Sequence, residues 1–179
     1  MTREPAALVG ATVPDTVASP TTTPVFPAPA AASEPITMPE SASTLPPLRP
    51  LVGIVLVSHS ALLAEGAAEL ARQLGGGEVP VESAGGLPDG GIGTSIELIE
   101  QAVRAADRGA GVVVLADLGS AVLTVRLLLD DADTLPDTVV LADAPFVEGA
   151  VSAAVAASSG ANAEAVRTAA EEARGFRKL

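Results

Sequence analysis

The chain contains a single histidine, His59, set between two serines at the end of the run VGIVLVSHS. Imidazole changes charge near neutral pH and can act as a nucleophile or an acid–base group. The apolar, β-branched residues 52–57 before it and the helix formers after it place His59 at a strand-to-helix turn. A second turn of this kind, Asp117-Leu118-Gly119-Ser120, follows the apolar run 111–116, and a third, residues 143–149, follows 138–142. In each, backbone amides and a helix dipole converge where a phosphate or another anion can be held. If Asp117 meets one imidazole nitrogen, it fixes the tautomer and stabilises positive charge as the other nitrogen attacks. The plainer readings are a surface or capping histidine, an Asp117 that caps the helix beside Ser120, and a Glu148 that favours a first helical turn.

The Gly-rich loop GGLPDGGIG matches neither GxxxxGK[ST] nor GxGxxG between a strand and a helix, which disfavours a self-contained ATP-binding kinase. Gly93 and Thr94 at its end could contact an anion, but a tight turn with a capping box explains them equally well. With no cysteine, disulfides, thiolate metal sites and cysteine nucleophiles are excluded, and one histidine makes zinc improbable.

These turns need elements to position them. Residues 52–57 form a strand covered on both faces, and Leu63, Ala67, Leu70 and Leu74 then recur at helical spacing until Gly75-Gly76-Gly77 stops the helix. Residues 79–84 form a weaker strand that Pro80 places at an edge. Thr94, with Glu97 three residues on, caps a helix through Ala106 with Ile96, Ile99 and Val103 inward. Strand 111–116, helix 121–129, strand 138–142 and helix 147–158 follow, and Asn162 caps a last helix through Ala173. This alternation predicts an α/β fold: a mainly parallel open sheet with helices on both faces and right-handed crossovers. Ligands of such sheets bind beyond the carboxyl ends of the strands, where strand order reverses.

Composition sets the outer bounds. Eleven of the 15 prolines lie in the first fifty residues, whose Pro, Ala, Thr and Ser show no periodicity. Residues 1–50 are therefore expected to be a disordered tail before a domain at 51–179. No apolar run approaches the roughly 20 residues of a membrane span, and no signal peptide is legible, so a soluble, cytoplasmic protein is expected. The net charge is −12. Arg3 and Arg49 against Glu4, Asp15, Glu34 and Glu40 leave the tail at −2, so −10 falls on the domain. Acidity and a near absence of aromatics disfavour nucleic acid and point to basic protein surfaces.

Four stretches in order, VSHSALLAEGAAELARQL, AGGLPDGGIGTSIELIEQAV, VVVLADLGSAVLTVRLLL and APFVEGAVSAAVAASSGA, resemble the DhaM family. These are phosphotransfer subunits of phosphoenolpyruvate-dependent dihydroxyacetone kinases, on the mannose-type enzyme IIA fold of the phosphotransferase system. The resemblance covers about residues 51–173. It implies that His59 accepts a phosphoryl group from the histidine phosphocarrier protein, charged by enzyme I, and that Asp117 pairs with it. The acceptor implied is ADP held by the DhaL subunit, with DhaK presenting dihydroxyacetone. Ser60, Thr94, Gly119 and Ser120 are then expected to cradle the phosphoryl group. No metal or cofactor is expected in this subunit, magnesium belonging to the ADP-bearing partner, and the fold implies a homodimer.

The sugar-transport branch of the fold typically carries Thr-His-Gly and a DTWGGSP-like third motif, whereas Ser58-His59-Ser60 and Asp117-Leu118-Gly119-Ser120-Ala121 stand here, which moves the resemblance toward the dihydroxyacetone branch. A IIA subunit for sugar uptake is the nearest alternative, and a non-enzymatic regulator that signals through phosphorylated His59 is another. A histidine phosphatase would want arginines at the strand-end turns, where only Arg126 comes near, already within a helix. The family's first strand usually begins near the N-terminus, so the tail is either a true extension or precedes a natural start near Leu51 or Val52.

Overall fold

The computed structural model describes residues 50–131, 135 and 138–179. The tail expected over residues 1–50 lies, apart from Pro50, outside these. Continuous β-branched stretches form β1 (Gly53–Ser58), β3 (Val112–Ala116) and β4 (Val139–Ala142), and the weaker β2 spans Val81–Gly85. Between and after them run α1 (Ala61–Leu74), α2 (Ile96–Ala106), α3 (Gly119–Asp130), α4 (Phe146–Ser158) and α5 (Ala163–Glu172). A short 3-10 turn, Ala173–Gly175, follows α5.

The strands pair in parallel in the order β2-β1-β3-β4. β1 and β3 are wholly or almost wholly buried, which is why they read as unbroken apolar runs rather than alternations. β2 lies at an edge, as Pro80 requires. This proline stays just outside the strand, and its carbonyl accepts from the Ile54 amide at 2.8 Å.

Successive residues of β1 face opposite ways. Ile54 and Leu56 pack with Ala67, Ala68 and Ala71 of α1, Ala150, Ala153, Ala154 and Ala157 of α4, and Val166 and Ala170 of α5. Val55 and Val57 pack with Ile99, Ala102, Val103 and Ala106 of α2 and with Ala121, Val125 and Leu128 of α3. The sheet is thus covered on both faces.

One expectation is inverted on α1. Leu63, Leu70 and Leu74 are exposed, and the buried stripe is Ala64, Ala67, Ala68 and Ala71. α1 abuts the Ala-rich α4 so closely that a Cβ on Gly75 would come within 2.8 Å of the Ala154 Cβ, leaving no room for leucine on that side. Similarly, Ile96 is exposed while Ile99 and Val103 are buried. The cap of α2 is Ser95, whose hydroxyl accepts from the Leu98 amide at 3.2 Å, rather than Thr94. Asn162 caps α5 as the sequence indicates, accepting from the Ala165 amide at 2.9 Å.

Gly53 marks the tightest approach of helix to sheet. A Cβ there would lie 2.3 Å from the Ala106 carbonyl oxygen. Because backbone must move to admit it, Gly53→Ala is expected to lower stability by about 3 kcal/mol, at the upper end of overpacking costs, read as a fall in the urea midpoint with little change in slope.

Candidate functional site

From β1 the chain goes through α1 to β2 on one side, then returns through α2 to β3 on the other. The carboxyl ends of β1 and β3 therefore flank the reversal of strand order where α/β sheets bind ligands. Val57 pairs with Ala116 in register, and the Asp117 amide donates to the Val57 carbonyl at 3.0 Å. Ser58 and Asp117 are thus placed side by side, with His59 one residue beyond.

The Asp117 carboxylate receives four donors, two on each oxygen. Oδ1 lies 2.9 Å from His59 Nδ1 and accepts from the Leu118 amide at 2.7 Å. Oδ2 accepts from the His59 amide at 2.9 Å and from the Ser58 hydroxyl at 2.8 Å. The side chain is 9% exposed. Burial pushes its pKa upward, but the His59 amide and ring, the Ser58 hydroxyl and the Leu118 amide together outweigh it and hold the carboxyl below its ordinary value.

An ionised carboxylate is acceptor-only, so the pair assigns the proton to Nδ1 of His59 and leaves a lone pair on Nε2. The imidazole, 21% exposed, turns Nε2 outward, and Ser120 Oγ stands 2.8 Å from it. With Nε2 an acceptor, the Ser120 hydroxyl is the donor.

The expected cradle residues surround this ring in different ways. Gly119 opens α3 and Ser120 follows it. The residue at the cap, Leu118, has no side-chain oxygen, and no side chain caps this helix. No side chain therefore occupies the first amides of α3, and an uncapped helix N-terminus is able to hold an anion such as phosphate. Ser60 caps α1, its hydroxyl 3.4 Å from the Leu63 amide, and its own amide donates to Ser58 Oγ at 3.1 Å. Thr94 reaches the site through another residue. Its hydroxyl lies 3.0 Å from that of Thr124, which donates to the Ser120 carbonyl at 3.2 Å.

The Gly-rich loop is fastened over β1 by main-chain bonds, Gly86 N–H to the Ser58 carbonyl at 3.1 Å and Gly93 N–H to the His59 carbonyl at 2.9 Å. Gly85 permits this approach, since a Cβ there would lie 2.6 Å from the Ser60 carbonyl oxygen. The third strand-end turn is engaged elsewhere. The Asp143 amide bonds to Glu171 at 3.2 Å, its carboxylate pairs with Arg174 at 2.7 Å, and Glu148 pairs with Lys178 at 2.5 Å. No hydrogen bond among the described residues joins that turn to His59.

Two residues of this network, Ser58 and Thr124, had no role legible in the sequence, although Ser58 stands in the first strand-end turn. Ser58 carried one usable signal, a polar residue closing an otherwise apolar buried strand. Thr124 carried none, being a threonine within a helix. Among the described residues no helix is long and apolar enough to cross a membrane.

The chain is similar to several known proteins. The chain is 35% identical over 117 residues to a Listeria innocua protein named PEP-dependent dihydroxyacetone kinase 2, phosphoryl donor subunit DhaM, covering 65% of this chain and 94% of that one. It is 40% identical over 120 residues to the corresponding subunit of Pantoea ananatis, again over 65% of this chain. There it spans 25% of the relative's length, so that protein carries much that has no counterpart in the match. A solved structure described as the unknown-function protein EF1359 superposes with a TM-score of 0.61 at 33% identity, covering 70% of this chain and 96% of that one. The family of PTS system fructose IIA components matches residues 53–167, from the first residue of β1 into α5, and the chain belongs to that family.

Proposed function

We propose that this chain is the phosphohistidine relay of a phosphoenolpyruvate-dependent dihydroxyacetone kinase. His59 accepts a phosphoryl group from the histidine phosphocarrier protein and passes it to ADP held by DhaL, with DhaK presenting dihydroxyacetone. The observation that carries this reading is the clamped imidazole, Nδ1 on Asp117 and Nε2 outward beside Ser120 and the uncapped start of α3. The names of the DhaM relatives, phosphoryl donor subunits of dihydroxyacetone kinases, support a place in such a kinase.

The transfer makes few demands beyond placement and charge. The Nε2 lone pair forms a P–N bond as the P–N bond to the donor's imidazole breaks, and that bonding pair returns to the donor nitrogen. The Nδ1 proton stays on His59. The positive charge that develops on the ring is stabilised by Asp117 Oδ1, and the phosphoryl oxygens take hydrogen bonds from the Ser120 hydroxyl and the first amides of α3. Transfer to ADP runs the same displacement in reverse, with a β-phosphate oxygen as the new nucleophile.

Residues 51–179 form the phosphotransfer domain in this reading, and it works in the cytoplasm as a homodimer. The test is intact-protein mass after incubation with phosphoenolpyruvate, enzyme I and the phosphocarrier protein, followed by DhaL-ADP. One acid-labile phosphoryl adduct that DhaL-ADP discharges is expected. An adduct that only sugar-transport partners discharge would transfer the assignment to sugar uptake, and no adduct would end it.

A further inference from the structure

Ser58 closes β1 and is 0% exposed, one of two buried polar residues among those described. A hydroxyl withdrawn from water has to be paired, and this one is paired on both sides. It accepts from the Ser60 amide at 3.1 Å and donates to Asp117 Oδ2 at 2.8 Å. A hydroxyl has a single hydrogen, so the amide on its lone pair leaves the O–H directed at the carboxylate.

We propose that Ser58 is a positioning residue for phosphoryl transfer: its hydroxyl locks the Asp117 carboxylate in the orientation that presents Oδ1 to His59 Nδ1, keeping Nε2 free to attack. The terminal torsion of an aspartate is soft and roughly two-fold, so packing alone does not choose its plane. Of the four donors to this carboxylate, two are backbone amides that any residue would supply and one is the His59 ring itself. The fourth is Ser58, the side chain that ties the plane of the carboxylate to the rigid end of β1. The pairing of Val57 with Ala116 brings it alongside Asp117, so strand register aims the hydroxyl. The Ser60 amide fixes where this hydroxyl points, and Ser58 acts on the ring only through Asp117.

The rate readout rests on the relay reading above, and a spectroscopic one does not. Ser58→Ala, Ser58→Thr, Asp117→Asn and the double variant Ser58→Ala/Asp117→Asn are compared with wild type. His59 phosphorylation is driven by the phosphorylated carrier and, separately, by phosphoramidate, a small donor that needs no docking. The imidazole Nδ1–H is followed by nitrogen-15 NMR with no donor present. Ser58→Ala is expected to slow phosphorylation by either donor about tenfold, the lower range for losing a group that orients a functional imidazole, with the carrier's KM unchanged. The Nδ1–H signal should broaden or shift, and Ser58→Thr should restore both. In the Asp117→Asn background, Ser58→Ala should cost nothing further.

A Ser58→Ala variant with wild-type rate and Nδ1–H signal would overturn the proposal, as would an equal loss of rate in the Asp117→Asn background. If Ser58→Ala does not fold, Ser58→Cys, of similar size and a poor donor, carries the same comparison. A wild type that accepts no phosphoryl group would sink the relay reading instead, and the Nδ1–H signal would still decide the role of Ser58.

Discussion

His59→Ala is expected to lose the acid-labile phosphoryl adduct completely while remaining folded. The chain has no second imidazole, and the hydroxyls nearby are poor substitutes. Ser58 is buried with its hydrogen committed to Asp117, and Ser120 sits at the helix end where it can hold a phosphoryl group but has no base beyond His59 itself. Removing the ring leaves Asp117 three donors, the Ser58 hydroxyl and the His59 and Leu118 amides, so the cost in stability is about 1 kcal/mol, that of one hydrogen bond. Intact mass and a thermal melt check both halves. An adduct that survives the substitution, above all an acid-stable one, would falsify the assignment of His59.

Asp117→Asn is expected to slow phosphorylation by about 10³-fold with little effect on the carrier's KM. All four groups around the carboxylate are donors. An amide in its place must direct two hydrogens at two of them, whichever way it is turned. One relief is for the imidazole to move its proton to Nε2 and accept on Nδ1, which blocks the attacking nitrogen. Loss of the correct tautomer costs about 10⁴ where it has been isolated in an Asp-His pair, so 10³ allows for partial recovery. Stability should fall as well, by about 2 kcal/mol, because buried donors are left facing donors. The acid side gives an independent check. The folded carboxyl titrates below its ordinary value of 3.8, so its ionised form contributes stability that is fully present above that value. That contribution is lost as pH falls through the lowered folded value. The stability gap between wild type and Asp117→Asn should therefore be constant above about pH 5 and shrink below about pH 4. A gap that persists unchanged in acid would show that the charge of Asp117 is not what the variant loses.

The order of strands and helices was legible because two periods alternate along the chain, and the unbroken apolar runs of β1 and β3 correctly announced strands buried on both faces. The approach of Asp117 to His59 was legible as far as both follow such strands. Which residues face inward on α1 was not. Leucine is the more hydrophobic residue, yet alanine won the buried stripe because the distance between α1, α4 and the sheet is set by small residues on both sides. The cap of α2 was missed by one residue, since Thr94 and Ser95 are chemically alike and only the backbone path over His59 decides between them. Of the three turns expected to converge, the third is bound to α5 and the C-terminal residues through Glu171, Arg174 and Lys178. Those partners lie in a segment whose charges look like ordinary solvated surface. Ser58 escaped because a lone serine has no period, and its meaning appears only when β3 is laid beside β1.

That last pairing gives the site a property of its own. His59 and Asp117 are 58 positions apart in the chain and meet only when β1 and β3 have joined through a crossover that passes β2. The site is therefore a long-range contact, formed late relative to any single helix, and no contiguous piece of the chain limited to one of the two strands contains it. Recovery of phosphoryl acceptance during refolding would time the closure of the central strand pair. A chain cut at the exposed glycines after α1 would be inert as separate fragments and active once they reassemble, making the chemistry of one imidazole a reporter of the whole topology.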